Sequence, residues 1–273
     1  MEKGTTPITR ESGALHATAF LRLDSSGNVL RSPCELCTAR DYSVCRHITG
    51  KDFEQLFPHG PHVQIRKAGT TIFLQGEPFG SVFIVQNGWL LVHKLFEDGR
   101  RQIIRFVLPG DLIGFEGNEV EGMSYSAEAI TDVALCGIRY SLFFKTCAAS
   151  PQLAMNFATT VTREALAAWN HVGALGQQRA QGRVANLLLD LHHRVVARCG
   201  TEPAAIQLPI NQIHIASATG LTSVHVCRTL KQMRQVGLLE FRKGQLVLLD
   251  TERLAEIAQL DPAVPLDGLQ KMN

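Results

Sequence analysis

Cys34, Cys37 and Cys45 stand in C-x2-C-x7-C spacing within "SPCELCTARDYSVCRHI", residues 32–48, and are three of the chain's seven cysteines. A disulfide takes two thiols and a tetrahedral metal site takes four ligands, so this trio needs a fourth partner from elsewhere in the fold. The other four cysteines, Cys136, Cys147, Cys199 and Cys227, stand much later in the chain. Cys34-x-x-Cys37 alone also fits a thiol oxidoreductase or an iron–sulfur electron-transfer enzyme, but a redox C-x-x-C belongs to a βαβ context, and none is near. No Ser/His/Asp set, phosphate-cradling glycine loop or paired carboxylates support an enzyme. His192 and His193 are adjacent, so on a helix they diverge by about 100°; both are read as surface residues.

The bulk properties say what must carry these thiols. A length of 273 residues accommodates two domains, and 45% apolar residues with mean hydropathy +0.03 describe a globular chain. No apolar run approaches the ~20 residues of a membrane helix. The opening "MEKGTTPITRESGALHATAF" has no signal-peptide core. The expectation is a cytoplasmic protein without a membrane partner, where seven cysteines serve metal or redox chemistry rather than disulfides. Between Gly176 and Asp250, nine Lys/Arg stand against four acids, a surplus of +5 in a chain of net +2, which leaves −3 for the remainder. A basic C-terminal part behind an acidic front fits a nucleic-acid module attached to a sensor.

Residues 64–139 read as short strands punctuated by glycine turns, with Asn87-Gly88 and Asp98-Gly99 as hairpin turns, hence a barrel or jelly roll. From Ser150 the period becomes helical, with Pro151 in the first turn. Ala154, Ala158, Val161, Ala165, Ala168, Val172 and Leu175 recur in 4-3 spacing, a heptad seam whose alanines let two copies approach closely. Phe157 and Trp169 lie off the seam and are expected to pack on the β-domain. "QGRVANLLLDLHHRVV" is an amphipathic helix. "NQIHIASATG" and "SVHVCRTLKQMRQVG" form a helix pair around Gly220, and "GLLEFRKGQLVLL" is a hairpin turning at Arg242–Gly244. Together these make a winged helix-turn-helix. The expected organisation is a disordered segment at 1–33, a cysteine-bearing sensor at 34–149, a dimerisation helix at 150–176, a winged helix-turn-helix at 177–250 and a tail at 251–273, frayed after Asp261.

"GDLIGF" (110–115), "QIHIASATGLTSVHVCRTLKQMRQVGLLEF" (212–241) and this order of parts resemble the Crp/Fnr superfamily of bacterial transcription regulators. Ala216, Gly220, Val226 and Arg228 fall where that family places its small residue, turn glycine, core aliphatic and DNA-facing arginine. The resemblance implies an α+β fold: a cyclic-nucleotide-binding-type β-roll, a long dimerisation helix and a C-terminal winged helix-turn-helix. Nucleotide-binding members hold the phosphate with a glutamate and an arginine. Asp111 and Tyr125 stand at those places here, and a tyrosine cannot neutralise a phosphodiester, so no cyclic nucleotide is expected. The Fnr branch instead carries an oxygen-labile [4Fe-4S] cluster, and the spacing here resembles its FnrN/FixK-type variant. "DVALCGIRY" puts Cys136 where that branch has its fourth ligand, which implies Cys34, Cys37, Cys45 and Cys136, one thiolate per iron. Cys147 remains the alternative fourth ligand, and four thiolates also satisfy structural zinc. A cluster-free regulator responding to nitric oxide or thiol redox is the alternative function.

The resemblance implies that the homodimer binds palindromic promoter DNA when loaded and releases it when oxygen removes the cluster. Ser223, Val224, His225, Cys227 and Arg228 would face the major groove, with Arg228 on guanine. The family's glutamate is Val224 here and Fnr's serine is Cys227, so the half-site differs; valine suits a thymine methyl. Thr222, Thr229, Lys231, Arg234, Arg242 and Lys243 are read as phosphate contacts. Cys227 could serve as a second redox input. By family analogy, the "EDGRR" loop at 97–101 would touch RNA polymerase.

Overall fold

The computed structural model describes residues 34–260 except Glu35, Leu36, Thr49, Asn118, Glu119, Gly200, Thr201 and Glu202. The segment 1–33 and the stretch after Leu260, both expected to be irregular, lie outside the described residues.

Two 3-10 turns, Thr38–Tyr42 and Val44–His47, lead into helix α1 (Gly50–Leu56). The β-roll follows, made of β1 (His62–Arg66), β2 (Thr71–Phe73), β3 (Ser81–Asn87), β4 (Leu90–Leu95), β5 (Arg101–Val107), β6 (Leu112–Ile113), β7 (Ser126–Ala129) and β8 (Val133–Arg139). The strands form two four-stranded sheets, ordered β1-β8-β3-β6 and β2-β7-β4-β5. Asp98-Gly99 closes the β4–β5 hairpin as expected. Asn87-Gly88 does not close a hairpin: β3 and β4 lie in different sheets, and this dipeptide carries the chain from one to the other. Its glycine is required, because with φ +81 a Cβ there would lie 2.2 Å from the Asp132 carbonyl oxygen.

Period-two alternation distributes each strand between two cores. Leu90, Val92, Val107 and Leu135 fill the inside of the roll. Leu91, Ile103 and Phe106, one residue out of phase, face the C-terminal helices. On β8, Cys136 and Ile138 face a third core with Val44, Ile48, Leu56 and Phe143. The β-roll and the C-terminal unit therefore share one apolar core across β4 and β5.

After α2 (Tyr140–Ala149), Ser150 caps α3 (Pro151–Gln177) by accepting from the Leu153 amide at 3.4 Å. The C-terminal unit is α4 (Ala180–Cys199), β9 (Ile206–Gln207), α5 (Gln212–Thr219), α6 (Ser223–Gln235), β10 (Leu239–Arg242), β11 (Gln245–Leu248) and α7 (Thr251–Ile257). Helix α7 begins what the sequence reads as tail. Asp250 caps it, accepting from the Arg253 amide, and Leu254 is buried in the core shared with α4. His192, read as a surface residue, is buried on α4 among leucines. No helix among the described residues is long and apolar enough to cross a membrane.

Candidate functional site

The cysteine segment is held by short-range backbone bonds because 3-10 turns tighten the chain every three residues. The Cys37 amide donates to the Cys34 carbonyl at 3.3 Å, Arg40 to Cys37 at 3.1 Å, and Ile48 to Cys45 at 3.1 Å. Ser43 Oγ accepts from the Cys45 amide at 3.1 Å, and Arg40 Nη2 donates to the Ile48 carbonyl at 3.0 Å. These bonds fold the x7 interval back on itself. It arrives over the outer face of the β1-β8-β3-β6 sheet, where Cys136 pairs with Val63 on one side and Ile84 on the other.

Cys34, Cys37, Cys45 and Cys136 line one pocket, walled by Phe53, Phe57 and Ile84, with Arg40 at its edge. Cys136 is 4% exposed and the other three are half-buried. Cys147 is buried in α2 but does not line the pocket. Its thiol is pushed up to about 11 by burial alone. Burial pushes Cys45 up to about 12, and the neighbouring Cys34 and Cys37 add to the effect. Cys136 is raised first by burial and then by Cys45, Cys34 and Cys37. As thiols Cys37, Cys45 and Cys136 are poor nucleophiles, because burial raises each, whereas reactive cysteines have lowered pKa values. Among the described residues, no three of His, Cys, Asp and Glu converge tightly enough to hold a single metal ion.

Helix α6 has two faces. Val226, Leu230 and Met233 are buried against the unit's core, while Ser223, Val224, His225, Cys227, Arg228 and Lys231 are exposed, Val224 at 67%. Thr222 caps the helix through the His225 amide at 3.2 Å, and Asn211 with His214 forms a capping box on α5. Gly220, at φ +65, turns one helix into the other. Arg242 and Lys243 are exposed on the wing, whose turn uses Lys243 at φ 50 and Gly244 at φ 80. Thr229 departs from the expectation: it is 1% exposed and faces the core, so it touches no phosphate.

Along α3, Val172 (66%) and Ala158 are exposed, and Ala154, Val161, Ala165, Ala168 and Leu175 are half-buried. The seam runs along the margin of a wider apolar face that also exposes Met155, Leu166 and Trp169. Trp169, expected to pack on the β-domain, is 68% exposed. Phe157 does pack there, edge-on to Phe115 and Phe143 at 5.4 and 5.2 Å.

Inside the roll, Tyr125 is 7% exposed, and Arg105 is bound to Glu164 of α3 at 2.7 Å and to Glu116 at 3.4 Å. Burial pushes the Glu164 carboxyl up to about 7, against the pull of Arg105. Asp111 is engaged by Arg194 and Arg198 of α4, each at 2.6 Å. The sequence offered no signal for these pairings, because their partners lie 83 and 87 residues apart.

Residues 182–257 match the Crp-like helix-turn-helix domain and residues 64–150 the cyclic nucleotide-binding domain. The nitrogen fixation regulation protein FixK of Bradyrhizobium diazoefficiens is 31% identical, over 82% of this chain and 93% of its own. The transcriptional activator protein anr of Pseudomonas aeruginosa is 28% identical, over 82% and 92%. Among solved structures, FixK2 from Bradyrhizobium japonicum superposes with TM-score 0.66 at 30% identity, covering 72% of this chain and 96% of that one.

Proposed function

The chain belongs to the Crp/Fnr superfamily of transcription regulators, in its Fnr-like branch, and from that premise we propose that it senses oxygen or redox state through a [4Fe-4S] cluster on Cys34, Cys37, Cys45 and Cys136. Its relatives are DNA-binding regulators rather than enzymes, and the C-terminal unit is of the same kind. The observation that carries the finer reading is the convergence of those four cysteines on one pocket, with Cys147 outside it.

The donor set fits the group. A cubane takes one thiolate at each of four irons, so its ligands spread wider than the four sulfurs around one zinc, each at ~2.3 Å. The same four thiolates would also satisfy structural zinc, and the metal assay below separates the two. When bound, the cluster supplies an oxygen-labile, redox-active centre. The chain's own part is to draw Cys34, Cys37 and Cys45 against Cys136 through the 3-10 turns and the Arg40 brace, with Phe53 and Phe57 limiting access of water.

The apolar face of α3, with Ala154, Ala158, Val161, Ala165, Ala168, Val172 and Leu175 along its margin, serves as the homodimer seam. The dimer then presents two α6 helices to successive major grooves of a palindromic promoter. Arg228 reads guanine, Ser223, Val224, His225 and Cys227 face neighbouring bases, and Thr222, Lys231, Arg242 and Lys243 hold phosphates. The Asp98-Gly99 hairpin is the contact for RNA polymerase. No cyclic nucleotide is bound: Tyr125 carries no charge to offer a phosphodiester, and Asp111 and Arg105 are committed to internal ion pairs.

Anaerobic purification, with iron and sulfide assayed per chain and the visible spectrum recorded before and after air, tests this reading. A brown protein with about four irons per chain that bleaches in air supports it. Cys136→Ser should abolish loading and Cys147→Ser should not. A colourless protein containing zinc or no metal removes the cluster and leaves the regulator.

A further inference from the structure

We propose that Tyr42 is a positioning residue that transmits the state of the cysteine segment to the DNA-binding unit by holding Arg198 of α4 in place. The proposal rests on the thiol pocket being the sensor.

Tyr42 ends the first 3-10 turn, between Cys37 and Cys45, so its placement depends on the same fold that gathers the thiols. Its ring is seated on the Gly110 backbone. A Cβ on Gly110 would lie 2.5 Å from Tyr42 Cδ2, so only glycine admits the ring at this turn, and Gly110 has φ +95. The Arg198 guanidinium lies 5.6 Å from the ring centroid, in cation–π range.

Arg198 is the end of a larger fastening. Its Nη2 donates to Asp111 Oδ1 at 2.6 Å, its Nε to the Pro109 carbonyl at 2.8 Å and its Nη1 to the Arg194 carbonyl at 2.7 Å. Arg194 Nη2 donates to the other Asp111 oxygen at 2.6 Å and to the Phe106 carbonyl at 2.9 Å. Asp111 Oδ2 also accepts from the Leu108 amide at 2.9 Å. The last turns of α4 are thus bolted to the 106–111 turn of the roll. At the other end of α4, Arg183 donates to the Thr219 carbonyl, next to the turn that launches α6. Helix α4 shares its buried core with Val226, Leu230 and Met233 of α6, so placing α4 places the recognition helix.

Tyr42 is where the described part of the cysteine segment meets this fastening. When that segment is drawn to Cys136, Tyr42 covers Arg198 and shields its bonds to Asp111 from water, which strengthens them. When the segment is released, the ring leaves, water reaches the pair, and α4 loses its fixed placement on the roll.

The test uses full-length protein, loaded anaerobically or stripped by chelation, and a short duplex selected by the wild-type protein from a randomised pool. Tyr42→Leu should leave iron per chain and the visible spectrum unchanged yet weaken DNA binding of the loaded form about tenfold, bringing it toward the stripped form. Tyr42→Phe, which keeps the ring, should behave as wild type. In an Arg198→Met background, which already lacks the guanidinium, Tyr42→Leu should cost nothing further, because the contact it removes is no longer there. Wild-type affinity in Tyr42→Leu, or additive losses in the double variant, overturns the proposal. If stripping the wild type leaves its affinity unchanged, the sensing reading fails instead, and the additivity of the two substitutions still decides whether Tyr42 acts through Arg198.

Discussion

Helices α4 and α6 both carry cations at helical spacing, Arg194 and Arg198 on one, Arg228 and Lys231 on the other, and the two pairs have opposite uses. Arg194 and Arg198 turn inward and share both oxygens of Asp111, at 2.6 Å each. Arg228 and Lys231 are exposed on a helix without an acidic residue. Arg183 also points inward, donating to the Gln178 and Thr219 carbonyls. Three of the nine cations behind the basic surplus of residues 176–250 therefore hold the molecule together. The DNA-facing charge is smaller than the composition implies. For Arg194 and Arg198 it is a carboxylate within reach, not the helix or the spacing, that turns them inward, while Arg183 is held by backbone carbonyls.

The sharpest way to break the comparison is Asp111→Asn. Removing the shared carboxylate strands two buried guanidiniums, and urea unfolding should show a loss of about 3–5 kcal/mol. A variant as stable as wild type would mean that the α4 arginines are as independent of the roll as those of α6.

Acid should sharpen the same point. Burial alone would raise the Asp111 carboxyl, but Arg198, Arg194 and Arg105 outweigh it and hold it below its usual value. Its stabilisation is therefore present above about pH 4, the ordinary aspartate value, and is lost as pH falls through the lowered one. Melting curves across that window should fall more steeply for wild type than for Asp111→Asn.

Arg228→Ala should do the reverse of Asp111→Asn. It should leave the melting temperature unchanged and weaken DNA binding by about 1–3 kcal/mol, with relaxed preference at one base pair, read by competition with mutated duplexes. Lys231→Ala should have the smallest effect: nearly uniform weakening on all sequences, and a salt dependence of affinity shallower by about one ion.

Much of the fold is legible in the sequence because it is written in local periods. Period-two alternation marks the strands, the 4-3 heptad spacing from Ala154 to Leu175 marks α3, and Gly220 between two short amphipathic stretches marks the helix-turn-helix. The spacing of Cys34, Cys37 and Cys45 announces a site that needs one more ligand. Local periods do not say which elements meet. Asn87-Gly88 has hairpin chemistry but turns a corner between sheets, because β3 takes β8 and β6 as partners rather than β4. Trp169 and Thr229 exchange their expected environments because burial depends on the neighbours that tertiary packing supplies to each helix face. The convergence of Cys136 with the N-terminal thiols follows from the register that sets Cys136 opposite Ile84 on the face beneath the 3-10 turns. The hold of Asp111 on α4 needs a turn and a helix more than eighty residues apart to be packed together. The sequence by itself determined the parts, three candidate ligands from their spacing, and Cys136 as the fourth only through the family resemblance. Only the tertiary structure decided which thiol faces them and which arginines remain for DNA, because contacts at that separation leave no trace in a local repeat.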